Sequence, residues 1–224
     1  MKEVGNESKK MAALQTWRKE NLEAFVKNHG ASSDAPDALM QLAISAEFAP
    51  KDAEAQAKAY YEKIIKDFPA NPYAAKAAGA IKRLSSEGKS FEISGETLDN
   101  KAFSERVFAG KPAVVLYWAT WATKIDEELK GLAALEKEFA AKGLVVVTVS
   151  LDDDAKTAAA AIRTSGLAGY HLFATGGLDR SPLATAYGIP SVPHIILIGK
   201  DGKVVNRAAQ NGSELKADVE KLVK

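Results

Sequence analysis

Residues 112–125 read PAVVLYWATWATKI, and the fold of the second half of the chain turns on them. From Ala113 to Trp118 the side chains are continuously apolar, β-branched or aromatic, the pattern of a short strand buried on both faces. Downstream, Ile125, Leu129, Leu132, Leu135 and Phe139 recur at spacings of three and four, which predicts an amphipathic helix from about Thr123 to Ala141. Beyond it come a strand LVVVTVSL (144–151), a helix over 153–164, a strand YHLF (170–173) and a short helix SPLATAYG (181–188). A strand HIILIG (194–199), a tight turn KDG, a strand KVVNR (203–207) and a last helix over 213–223 complete the chain. On the upstream side, SFEI (90–93) and TLDNKAF (97–103) read as an opening pair of short strands. Strands and helices that alternate and end in a hairpin predict an α/β sandwich.

Residues 8 to about 88 have a different texture, rich in Ala, Lys and Glu and poor in β-branched runs. Four helices are predicted. The first covers about 10–28, with Leu14, Trp17, Leu22, Phe25 and Val26 as its apolar stripe and Gly30 as its stop. The second runs from Asp34–Pro36 to Phe48, and the third from about Lys51 to Asp67. The fourth opens at Asn71-Pro72, a capping residue followed by proline at the first helical position, and ends near Gly88. The stretch ALMQLAISAEFAPKDAEAQAKAYYEKIIKDFPAN resembles a tetratricopeptide repeat. That likeness puts Ile44, Ser45, Phe48, Ala57, Tyr61 and Ile64 on its packing positions and Gly79 where a following repeat needs a small residue. An Ala-rich helical hairpin without repeat ancestry is the alternative. The composition change at Ser86–Ser90 sets the expected domains at 1–88 and 89–224.

Whole-chain totals exclude several functions. With 30 Lys and Arg against 29 Asp and Glu, and no run of like charge beyond Asp152–Asp154, the chain lacks the basic patch of a nucleic-acid binder. No apolar run approaches the roughly 18 residues of a membrane span. The start, MKEVGNESKKMAAL, has no apolar signal segment, which suits either a cytoplasmic protein or a mature segment. There is no cysteine, so disulfides, thiolate catalysis, zinc–thiolate sites and iron–sulfur clusters are all excluded. His29, His171 and His194 share no ligand spacing, so no metal and no cofactor is expected. Asp152–Asp154, like Asp126, Glu127 and Glu128, read as acids that complement helix starts rather than as a cation site. The glycines of ATGGLD form no phosphate cradle.

Two separated stretches carry a family resemblance. GKPAVVLYWATWATKIDEELKGLAALEKEF (110–139) and AYGIPSVPHIILIGKDGKVV (186–205) together resemble the thioredoxin fold, in particular the TlpA-type thiol-disulfide oxidoreductases and related redoxins. The resemblance covers about 90–224 and implies a thioredoxin-like sandwich behind an all-α, repeat-like N-terminal domain. In that family the second Trp of WATW precedes Cys-X-X-Cys, which here reads Ala122-Thr123-Lys124-Ile125. The first sulfur acts as a thiolate held at a helix N-terminus and the second resolves the mixed disulfide. Ala122 and Ile125 can do neither, and the hydroxyl of Thr123 is too basic to replace a thiolate without a partnered base. The strand position of a buried acid in thioredoxins corresponds to Leu116, so that group is lost too.

The surface around this degenerate corner is what remains. By resemblance, Val192 precedes a cis Pro193 and offers its backbone to an extended peptide, with Trp121, Thr123, Lys124 and His194 alongside. Against this stands the reading that Pro193 merely serves the turn, that Trp121 covers a helix end and that His194, a lone histidine at a strand start, is structural. The expected function is therefore a non-catalytic protein- or peptide-binding adaptor. The alternative is an oxidoreductase relative whose redox activity depends on a partner or another domain. A third reading is a structural part of an envelope complex, or a fragment of a longer chain. Kinship with TlpA-type proteins implies an extracytoplasmic, periplasmic location.

Overall fold

The computed structural model describes residues 2–49 and 53–224. The chain divides into two compact units, Met1–Ala78 and Gly79–Lys224, a division that falls inside the fourth helix and not after it.

The first unit contains α1 (Lys2–His29), α2 (Ala35–Glu47), α3 (Ala53–Asp67) and the beginning of α4 (Pro72–Leu84). Four helices were expected; the predicted start of the third at Lys51 lies outside the described residues, and the fourth stops at Leu84, short of Gly88. On α3, Ala57, Tyr61 and Ile64 are all buried, as the repeat pattern requires. On α2 the register differs from expectation. Leu39, Leu42, Ala43 and Ala46, spaced i, i+3, i+4 and i+7, make the buried face. Ile44 is only half-buried, while Ser45 and Phe48 point outward. The stripe foreseen on α1 is likewise split: Leu22, Phe25 and Val26 are half-buried, whereas Leu14 and Trp17 are exposed. Cross-helix polar contacts knit this unit, among them Arg18 Nη2 donating to Gln41 Oε1 at 2.6 Å and the Tyr60 hydroxyl donating to Glu23 at 2.6 Å.

The second unit is built on a five-stranded mixed sheet. Its strands are β3 (Ala113–Trp118), β4 (Val145–Ser150), β5 (Tyr170–Phe173), β6 (His194–Ile198) and β7 (Val204–Ala209), in spatial order β5-β4-β3-β6-β7. β3 runs parallel to β4, β4 parallel to β5, and β6 antiparallel to both β3 and β7. All six residues of β3 are buried, as its sequence predicts for a central strand. Its side chains alternate between two cores. Val114, Leu116 and Trp118 join the apolar face of α5 (Ile125–Phe139), α6 (Ala155–Ser165) and α9 (Ser213–Leu222). Ala113, Val115 and Tyr117 join Phe91, Ile93, Phe103, Leu183 and Tyr187 on the opposite face.

Three local expectations are corrected. SFEI is not a ladder strand; Phe91 and Ile93 are spent filling the second core, and β1 (Ser94–Glu96) begins just after them. Its partner β2 (Ala102–Ser104) is the tail of TLDNKAF only, because residues 97–101 fold into a turn closed by Thr97 N–H donating to the Lys101 carbonyl. The helix expected over 181–188 is a single turn, α8 (Pro182–Thr185), and another single turn, α7 (Gly177–Arg180), precedes it. Gly79 meets this region closely. A Cβ there would stand 1.9 Å from the Thr185 carbonyl oxygen, so only glycine permits the approach. Nearby, the buried Arg83 donates from Nε to the Tyr187 carbonyl at 3.0 Å, fixing the tail of α4 to the sheet unit.

Candidate functional site

The register Tyr117↔His194 places the end of β3 beside the start of β6. Antiparallel pairing therefore brings the loop 119–124 and the loop 190–193 to the same end of the sheet. The parallel neighbour β4 delivers Ser150 and Asp152 to that end as well.

The first loop is shaped from beneath by a buried carboxylate. Asp152 Oδ1 accepts from Thr120 N–H at 2.9 Å and from the Thr120 hydroxyl at 2.7 Å, while Oδ2 accepts from the Ser150 hydroxyl at 2.9 Å. Asp152 is 3% exposed. This corrects its reading as a helix-start acid: it ties the strand end of β3 to that of β4. The helix-start role belongs to Asp154, whose Oδ2 accepts from the Thr157 hydroxyl at 2.9 Å and from Thr157 N–H at 3.0 Å, and these bonds hold its carboxyl below the usual range.

After Thr120 the chain makes a turn, with Ala122 N–H donating to the Ala119 carbonyl at 3.1 Å, and α5 begins at Ile125. The residue before it, Lys124, takes the left-handed conformation at φ 59° and ψ 20° and supplies no side-chain cap. Trp121 is 61% exposed, and Thr123 and Lys124 are exposed beside it. Ala122 and Ile125, at the two former sulfur positions, are buried in the core that contains Trp118 and Leu129. The hydroxyl of Thr123 has no hydrogen-bonded base among the described residues.

In the second loop the Val192–Pro193 peptide is cis. Pro193 is exposed, and the half-buried Val192 packs against the core that holds Ala122 and Ile125. Among the described residues, neither the N–H nor the carbonyl of Val192 is hydrogen-bonded. His194 takes the structural place and not the ligand-facing one. It is buried with Nε2 donating to the Arg207 carbonyl at 2.9 Å, and burial, assisted by the nearby Arg83 charge, pushes its pKa down to about 3. It is a neutral structural side chain.

One acid read from the sequence as complementing a helix start is placed differently from its neighbours. Glu128, in the first turn of α5, is half-buried, and its Oε2 is buried without a partner. Burial, then the neighbouring Glu127, raises its carboxyl above the usual range. Its signal was the period of α5, because position 128 borders the buried Leu129. No three His, Asp or Glu side chains among the described residues converge to hold a metal ion, and no described helix is long and apolar enough to cross a membrane.

Comparison with known proteins agrees with this architecture. The AhpC/TSA family model matches residues 86–207. The thiol-disulfide oxidoreductase ResA of Bacillus thuringiensis is 23% identical over 57% of this chain and 70% of its own length. The thioredoxin domain of a thiol-disulfide oxidoreductase from Bacteroides vulgatus superposes with a TM-score of 0.55 at 26% identity, over 62% of this chain and 99% of that domain. A thiol-disulfide oxidoreductase from Bacteroides fragilis gives 0.54 at 26% identity, over 59% and 98%.

Proposed function

This chain belongs to the AhpC/TSA family yet contains no cysteine, and from that pairing we propose that it is a thioredoxin-like binding module without thiol turnover. Its ligand is an extended protein or peptide segment held at the corner of Trp121, Thr123, Lys124, Val192 and Pro193. The observation that carries the reading is the unpaired main chain of Val192 at the same sheet end as a largely exposed Trp121. A free N–H and C=O can pair with an extended chain, and an exposed indole supplies apolar area at small entropic cost. His194 is not part of this surface. In this reading the helical unit, with its repeat-like α2–α3 hairpin, makes the protein an adaptor, and kinship with the TlpA type favours work outside the cytoplasm.

Selection of random peptides against the whole chain tests the proposal. Selected peptides are expected to bind Trp121→Ala about tenfold more weakly, the loss typical of a central aromatic contact, with thermal stability unchanged. Equal binding to both proteins overturns the corner as the site. Measurable reduction of insulin disulfides by the pure protein overturns the non-catalytic half of the reading.

A further inference from the structure

On the sheet face away from α5, a cavity of about 340 Å³ opens beside the C-terminal end of β3. Ile93, Phe173, Leu183 and Tyr187 give it apolar walls. The Gly95 backbone passes close to this wall, since a Cβ there would stand 3.2 Å from Leu183 Cδ2. Tyr117 also lines it and is fully buried, yet its hydroxyl has no hydrogen-bond partner. A buried hydroxyl without a partner costs roughly 1–3 kcal/mol, so it marks a place where a ligand atom can repay the loss. Tyr187 shows the contrast: its hydroxyl accepts from Glu92 N–H at 2.9 Å.

The charge at this cavity has one sign. Glu92, Glu96 and Glu105 border it, and no Lys or Arg lines it. Lys82 reaches Glu92 at 3.0 Å and lies over the Tyr187 ring at 4.7 Å, which neutralises one carboxylate. Glu96 and Glu105 have no ion pair among the described residues. Desolvation keeps the Tyr117 phenol protonated, since burial pushes its pKa well up.

We infer that this cavity binds a small amphipathic amine. Its hydrogen-bonding group meets the Tyr117 hydroxyl, its apolar body lies against Ile93, Phe173 and Leu183, and its ammonium stands at Glu96 and Glu105. The volume is at the small end for ligand sites, which suits one aromatic ring with a short chain. Trp118 and Tyr117 face opposite sides of the sheet, so the site is separate from the corner at Trp121 and does not depend on peptide binding there.

Three probes test this on the whole chain by calorimetry and amide NMR: tyramine, phenethylamine, which lacks the hydroxyl, and 4-ethylphenol, which lacks the ammonium. Tyramine is expected to bind most tightly and to shift the amides of Gly95, Leu183 and Ala174. Tyr117→Phe, which removes only an unpartnered atom and leaves the fold intact, should weaken tyramine about fivefold and leave phenethylamine unchanged. The double variant Glu96→Gln, Glu105→Gln should weaken both amines about fivefold and leave 4-ethylphenol unchanged. Failure of tyramine to saturate, or a response in only one of the two variants, overturns the assignment.

Discussion

Two strand-to-helix corners stand side by side at one end of the sheet, and they are built on different principles. The corner from β4 into α6 is polar: Asp154 sits in extended conformation and caps the helix through Thr157. The corner from β3 into α5 has no side-chain cap, starts from a left-handed Lys124, and buries two apolar side chains, Ala122 and Ile125, beneath it. In thioredoxin-like enzymes the second kind of corner keeps free N–H groups for a thiolate. Here carbon fills those positions, and both side chains are packed in the core. The polar groups nearby, Asp152 and His194, are bonded within the framework.

If packing has replaced chemistry, Ile125 is now a core residue like any other, and its loss carries the largest effect. Ile125→Ala should lower stability by about 3 kcal/mol, the usual cost of a large-to-small change at a closed core site. Urea unfolding measures it, and a loss below about 1 kcal/mol would mean the corner is still loosely packed and open to ligand. Next in size is the acid response of the framework histidine. The folded chain holds His194 neutral with a pKa of about 3, whereas the unfolded chain protonates near 6.5. Its stabilisation is therefore complete above about pH 6.5 and drains away as the pH falls toward 3. At pH 5 the loss should be about 2 kcal/mol relative to pH 7. His171 is depressed in the same direction by burial, so comparison with His194→Gln isolates the share of His194. A wild-type stability that is flat across this interval contradicts the buried neutral role. Third is Asp152→Asn, which keeps the shape but removes a charged acceptor shared by three donors. A loss of about 1.5 kcal/mol is expected; no change would show that the two corners are not coupled through this carboxylate.

The buried central strand β3 and the face of α5 were legible in the sequence because period and burial agree there. The five apolar residues read from α5 are the five that it buries. The cis Pro193 also followed from motif position, and the burial of Ile125 from the period of α5. What misled was any place where tertiary demand overrode a local pattern. SFEI has strand composition, yet its aromatic and aliphatic residues are needed in the core. Phe48 matches a repeat position but faces solvent, because α2 is rotated to bury Ala43 and Ala46. Asp152 belongs to an acidic triplet in sequence, and only the parallel pairing of β3 with β4 shows that its partner is Thr120, far off in the chain. The Tyr117 cavity left no trace in the sequence, since a buried tyrosine without a partner reads like any strand aromatic.

The smallest expected effect concerns the sharpest geometric difference between the corners. A side chain in the left-handed region costs roughly 1–2 kcal/mol through the close approach of Cβ to the backbone, and Lys124 bears that cost at φ 59°. Lys124→Gly removes it but adds freedom to the unfolded chain worth about 0.4–1 kcal/mol. Lys124 has no side-chain cap bond to lose, and its carbonyl still accepts from the Glu127 and Glu128 N–H groups after the change. The balance is a gain of about 0.5 kcal/mol, readable as a shift in the urea midpoint. A loss of stability would instead mean that the Lys124 side chain itself contributes at the helix start, and that this corner is not held by apolar packing alone. If Lys124→Gly is more stable but binds selected peptides less tightly, the strained lysine is retained for its ligand, and the two corners differ in use as well as in construction.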